Sequence, residues 1–136
     1  MVRSANAVWK GSLKEGAGTV STESGAISNT QYSFNTRFAE GIGLNPEELI
    51  AAAHAGCFSM ALSGQLGNRG ITGELETKCA ITMENLTLTK SELTTTVRAP
   101  GGDRAAIQEA ADAAKAGCPI SKVLNLDISL DLTIEV

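Results

Sequence analysis

The sequence predicts an α+β fold: antiparallel sheets packed on a long buried central helix, in the order β-β-β-α-β-β-α-β. Three observations carry this. One capped, almost wholly apolar segment occupies residues 45–68. Segments of alternating polarity lie in groups before and after it, and a last one closes the chain. A second amphipathic segment follows Pro100-Gly101-Gly102. Strands grouped in hairpins around two helices give α+β rather than a doubly wound sheet.

Ala7 to Lys14 holds Val8, Trp9 and Leu13 ahead of Glu15-Gly16-Ala17-Gly18, a strand followed by a turn. Thr19-Val20-Ser21-Thr22 suits a second short strand, closed by Ser24-Gly25. Gln31 to Phe38 places Tyr32, Phe34, Thr36 and Phe38 on one side and Asn35 and Arg37 on the other, a third strand by alternation. The N-terminal third therefore reads as a three-stranded antiparallel meander. Gly41-Ile42-Gly43-Leu44 is the loop that delivers the chain to the central helix.

Asn45 is a good N-cap, and Pro46 follows at the first helical position, where a missing N–H costs nothing. Glu48 at N3 can reach back to the cap, which leaves Glu47 free. The helix runs from about Pro46 to about Asn68, roughly six turns and ~34 Å. Ile50, Ala53, Cys57, Met60, Ala61 and Gly64 follow one face, while Ala51, Ala52, Ala55, Phe58 and Leu62 fill the others. A helix apolar nearly all round is buried nearly all round.

Glu76 to Glu84 alternates through Thr77, Cys79, Ile81 and Met83. Leu86 to Thr89 leads into Ser91 to Arg98 with Leu93, Thr95 and Val97. Near Asn85 the period allows either a bulge or a turn. Asp103 caps a helix whose face carries Ala106, Ile107, Ala110, Ala111 and Ala114 and which ends at Lys115-Ala116-Gly117. Pro119 and Ser121 suit one more helical turn, and Leu126 to Val136 alternates as the last strand.

At 136 residues, one domain covering 1–136 is expected. A chain this small has little material to cover a helix on every side, so a homodimer with part of the helix at the interface is expected. Net charge is −4 and no Lys or Arg run exceeds two, which argues against a nucleic-acid partner. No uninterrupted apolar run reaches the length of a membrane span, and the N-terminus has no signal-peptide core. The chain reads as cytoplasmic. Three widely spaced cysteines, Cys57, Cys79 and Cys118, do not form a secreted disulfide framework.

The chemistry-bearing residues are few. Free Cys is among the most buried residue types, so Cys57 has a structural reading. It lies too far along its helix for the dipole to lower its pKa, so to react it needs a nearby cation. Cys118, between a glycine and a proline, suits a short mobile turn. One rigid buried thiol and one thiol on a hinge fit an attacking and a resolving pair joined through sulfenic acid and a disulfide. Cys79 falls on the apolar side of its strand. His54 shares a helix face with Cys57, which permits either a Cys–His pair or a buried His bonded to a backbone group. A zinc site from Cys57, Cys118 and His54 lacks a fourth ligand.

The run from Asn45-Pro46-Glu47-Glu48 through His54-Ala55-Gly56-Cys57-Phe58-Ser59 to Leu62 resembles the signature helix of the OsmC/Ohr family, the osmotically inducible protein C and organic hydroperoxide resistance proteins. Ala116-Gly117-Cys118-Pro119-Ile120-Ser121 resembles its second cysteine motif. Gly18 to Gly25 and Phe34-Asn35-Thr36-Arg37-Phe38 resemble the OsmC branch. The likeness runs through essentially the whole chain.

The resemblance implies an OsmC-like fold, an intertwined homodimer with sites at the subunit interface, and a thiol peroxidase that reduces organic hydroperoxides to alcohols. It implies Cys57 as the peroxidatic thiol, Cys118 as the resolving thiol, Arg37 as the cation that stabilises the thiolate, and Glu47 as its carboxylate partner. No bound cofactor is implied, only an external dithiol reductant, lipoyl or otherwise. On a straight helix Glu47 and Cys57 are ten residues, about 15 Å, apart along the axis, so they do not touch directly. A non-catalytic dimeric redox sensor or small-molecule binder using the same pocket is the competing class.

Overall fold

The computed structural model describes residues 1–136, which form two compact units, Met1–Leu49 and Ile50–Val136. In the first, β1 (Ala5–Lys10), β2 (Ala17–Thr22) and β3 (Thr30–Tyr32) make the expected antiparallel meander. Trp9, Gly18 and Tyr32 stand in register across the three strands. The two rings lie 5.3 Å apart, and a Cβ on Gly18 would come within 2.7 Å of Trp9 Cε3. Only glycine leaves room for that aromatic pair.

The third strand ends early. Instead of continuing to Phe38, the chain turns into a short helix, α1 (Phe34–Phe38), which moves Arg37 from the expected strand to a helix. Ser33 is the cause. Its Oγ accepts from the Thr36 N–H at 3.3 Å, while Thr36 Oγ1 accepts from the Ser33 N–H at 2.8 Å, a reciprocal capping box. Phe34 and Phe38, read as alternating strand residues, are also four apart, and on the helix their rings stack at 4.9 Å.

The central helix, α2 (Pro46–Gly67), starts as predicted. Asn45 Oδ1 accepts from the Glu48 N–H at 2.8 Å, and its Nδ2 donates to the Thr36 carbonyl at 3.1 Å, so one side chain starts α2 and ties down α1. In the second unit His54, Phe58, Leu62 and Leu66 form a fully covered stripe at every fourth residue. Ala52, Ala53, Gly56, Met60 and Gly64 are exposed, so a single chain does not bury the helix all round as its composition suggested. By length and composition α2 is also long and apolar enough to cross a membrane, a property missed by counting uninterrupted runs, because Ser59, Ser63 and Gln65 break the run but hardly lower its average.

The stripe packs on a sheet of β4 (Glu74–Glu84), β5 (Thr87–Arg98) and β6 (Asp127–Glu135). Asn85 and Leu86 both take positive φ, the two-residue hairpin turn that suits twisted strands, and a register shift follows at Thr82/Met83. Turn and bulge are thus both present. β5 and β6 are parallel, which corrects the expectation of antiparallel sheets throughout. Periodicity marks a strand but not its direction. Here α3 (Arg104–Gly117) and α4 (Pro119–Val123) supply the long crossover that parallel neighbours need. Asp103 caps α3 through the Ala105 N–H at 3.0 Å. Leu93 and Val97 of β5, the α2 stripe, and Ile107, Ala110, Ala111 and Ala114 of α3 close the core.

Candidate active site

The second unit brings Cys57 and Cys118, 61 residues apart in sequence, to an Sγ–Sγ distance of 2.7 Å. Both are free thiols, hydrogen-bonded sulfur to sulfur. Phe58, next to Cys57, anchors its turn of α2 in the core, and Cys118 is the hinge residue that ends α3 and begins α4. The two thiols exchange the surroundings expected of them. Cys118 is fully buried and Cys57 only half-buried. Nor is the turn at Cys118 loose: its N–H donates to the Ala114 carbonyl at 2.9 Å, and its carbonyl accepts from the Lys122 N–H at 3.2 Å.

The electrostatics follow this asymmetry. Burial pushes the Cys57 thiol up, and the neighbouring Cys118 adds to the rise. Burial also pushes Cys118 up, but hydrogen bonds from Cys57 and Ser121 outweigh it and hold this thiol below its ordinary range. Two thiols this close titrate as a pair. A backbone hydrogen bond from Ile120 acts the other way on Cys57 without reversing the rise.

The first unit holds an arginine–carboxylate pair. Arg37 Nε and Nη2 both donate to Glu47 Oε1, at 3.2 and 2.9 Å, and the guanidinium carbon lies 5.1 Å from the centroid of the Phe38 ring. Glu48 meets Asn45 through its backbone N–H and not through the side-chain bond to the cap that the sequence suggested, and Glu47 is the residue that meets Arg37. The Glu47 side chain is largely covered, and its Oε2 is buried without a partner, an acceptor left open beside the cation.

His54 is fully buried but bonds to neither Cys57 nor a backbone group. Nδ1 meets Ser91 Oγ at 2.6 Å and Nε2 meets Ser121 Oγ at 2.8 Å. Burial lowers its pKa, so the ring is neutral near pH 7. Cys79, packed on the core as expected, reaches Ser91 Oγ at 3.2 Å. Sequence reasoning missed Ser91 as a partner altogether. Ser121 was legible only as a helix-opening residue, though its place three residues after Cys118 puts it over the sulfur's turn.

Two free thiols at hydrogen-bond distance inside a mixed α+β scaffold define the candidate site. The OsmC-like protein family model matches residues 39–133, and the chain belongs to that family. It is 47% identical over 128 residues to Peroxiredoxin OsmC of Escherichia coli (strain K12), covering 90% of each chain. It is 31% identical over 121 residues to the organic hydroperoxide resistance protein OhrB of Bacillus subtilis (strain 168), covering 85% of this chain and 89% of that one. The OhrB crystal structure matches with a TM-score of 0.66 at 26% identity over 96% and 98% of the two chains. An OsmC like protein from Mycoplasma pneumoniae matches with a TM-score of 0.77 over 100% and 99%, at 16% identity, a likeness of fold alone.

Proposed function

We propose that this protein is a thiol-dependent peroxidase that reduces organic hydroperoxides to alcohols with Cys57 and Cys118. The observation that carries the reading is the 2.7 Å approach of two free sulfurs, which leaves about 0.7 Å to close to a disulfide bond. Relatives named for peroxiredoxin activity and for hydroperoxide resistance support it.

The Cys57 thiolate attacks the distal peroxide oxygen, the O–O bond breaks, and the alkoxide takes up a proton to leave as alcohol. Cys57 is now a sulfenic acid. The Cys118 thiolate attacks its sulfur, and hydroxide departs with a proton as water, leaving the disulfide. A dithiol such as dihydrolipoamide then reopens it, giving up two electrons and two protons. Arg37 is the cation that makes Cys57 a thiolate and takes up the charge developing on peroxide oxygen. Glu47 orients it, since a guanidinium offered to a low-dielectric site needs a carboxylate partner.

The exposed face of α2 supports the expectation of a homodimer acting as one OsmC-like domain per chain. Met60 is 79% exposed, and Gly56 and Gly64 have open space where a Cβ would stand, so a second copy can approach the backbone closely. We propose a cytoplasmic location, where thiols stay reduced between turnovers. The test is steady-state consumption of cumene hydroperoxide with dihydrolipoamide as reductant. Multiple turnovers that vanish in Cys57→Ser support a peroxidase, whereas an oxidisable pair without turnover identifies a sensor.

A further inference from the structure

His54 is fully buried, bonded on both ring nitrogens, and unused by the two-cysteine chemistry. Nδ1 meets Ser91 Oγ at 2.6 Å, and Nε2 meets Ser121 Oγ at 2.8 Å. Ser91 belongs to β5, the middle strand of its sheet, and Ser121 to α4, the short helix that begins at Cys118. One ring on α2 thus ties the sheet to the element that follows the second sulfur. We infer that His54 is a positioning residue for the thiol pair: it pins α4 through Ser121 and so holds Cys118 Sγ against Cys57 Sγ.

α4 has only five residues, and Cys118 makes no side-chain cap bond to start it. A helix this short has little hydrogen-bonded structure of its own. Pro119, Lys122 and Val123 are exposed, so packing holds one side of it alone. The bond from Ser121 to His54 is the only side-chain hydrogen bond that leaves α4. Both backbone bonds at Cys118 run within α3 and α4, where they set the shape of the turn; the polar link across to α2 is the one through His54. That link is close to the sulfurs. Ser121 stands three residues after Cys118, and His54 three residues before Cys57, nearly one helical turn in each case. A neutral imidazole donates at one nitrogen and accepts at the other, and a serine hydroxyl does either, so both tautomers keep both bonds. An apolar side chain would fill the same space and fix neither distance nor direction.

The consequence concerns the disulfide, and it rests on the proposed pairing of Cys57 with Cys118. Oxidised dithiothreitol makes that bond without peroxide. One protein thiolate attacks a dithiothreitol sulfur, the other attacks the mixed disulfide, and reduced dithiothreitol leaves with the two electrons and two protons. The second step is intramolecular, so the equilibrium measures how concentrated each sulfur is at the other. Releasing α4 dilutes Cys118 at Cys57 and shifts the balance toward the dithiol. A residue that only stabilised the fold would support both redox forms equally and leave the balance where it is.

The test is to equilibrate the protein in dithiothreitol buffers of fixed oxidised-to-reduced ratio and read the Cys57–Cys118 peptide by mass. Ser121→Ala, which deletes one oxygen, should lower the disulfide equilibrium constant about tenfold, a rise of about 30 mV in potential. His54→Leu should lower it at least as far, and adding Ser121→Ala to it should change little, because the shared bond is already gone. Ser121→Thr should restore the parent value. Thr95→Val deletes another buried hydroxyl of β5, 3.0 Å from Thr77 Oγ1, and should lower stability without moving the potential. An unchanged constant in Ser121→Ala, or an equal shift in Thr95→Val, overturns the inference, as does a parent that forms no Cys57–Cys118 disulfide. Hydroperoxide turnover of the parent, run in parallel, separates the two ideas: its absence removes the peroxidase reading and leaves the equilibrium constants standing.

Discussion

Cys118 lies 2.7 Å from Cys57, and of the two sulfurs it is Cys118 that the polypeptide encloses completely. In the proposed reaction the half-buried sulfur on α2 is the one that meets the peroxide. The enclosed sulfur is already beside it, so resolution needs a small displacement rather than a swinging loop. Without its partner, an oxidised Cys57 would persist.

Cys118→Ser should therefore separate the steps. It should give one rapid turnover with cumene hydroperoxide, and the sulfenic acid should be trapped at Cys57 by dimedone and located by mass. Cys57→Ser should consume none.

Arg37→Met should slow oxidation of Cys57 by about 10²-fold or more, the usual cost of removing a charged group that stabilises a developing oxyanion. The pH midpoint for Cys57 alkylation should rise at the same time, because burial alone already pushes this thiol up. Arg37→Lys should not rescue, since two of the guanidinium nitrogens bind one Glu47 oxygen in a geometry that an ammonium does not reproduce. Glu47→Gln should fall between parent and Arg37→Met. Stopped-flow rates at several pH values check all four.

Stability should depend on His54. Its folded pKa lies below the ordinary 6.5, so the unfolded chain binds the proton first. Stability is then fully present above pH 6.5 and is lost as the pH falls below it toward the folded value, by about 1.4 kcal/mol per unit while the native ring stays neutral. Urea midpoints at pH 7.5 and 5.5 should differ in the parent and much less in His54→Gln.

Asn45→Ala should cost about 1 kcal/mol through loss of the α2 cap, and more if release of the Thr36 carbonyl also loosens α1. Thermal melts against Glu48→Ala, which keeps the cap, measure the difference.

Much of the fold was legible because strong local signals agreed. Pro46 behind an Asn cap fixed the start of α2, and Asp103 fixed that of α3. Arg37 was misplaced on a strand because Tyr32, Phe34 and Phe38 satisfy a period of two, while Phe34 and Phe38 also satisfy a helical step of four. Ser33, a capping residue just ahead of them, breaks the tie. The parallel β5–β6 pairing carries no signature in either strand, because alternation is the same in both directions. At the site, the cysteine pair and the Arg37–Glu47 pair were both legible from motif resemblance, and the capping argument only preferred Glu47 to Glu48. The burial order of the two thiols was not. Gly117 and Pro119 suggested a loose turn, but Cys118 is held by backbone bonds from the helices on either side of it. The hydroxyls on His54 come from β5 and α4, far away in sequence, and no local pattern announces them.

The most direct test is to treat the reduced protein with one equivalent of cumene hydroperoxide, map its cysteines by mass, and repeat after dihydrolipoamide. The account predicts a single Cys57–Cys118 disulfide with Cys79 still free, then full return to three thiols. Three free thiols after peroxide, or a Cys57 oxidised to acid while Cys118 stays reduced beside it, would contradict it.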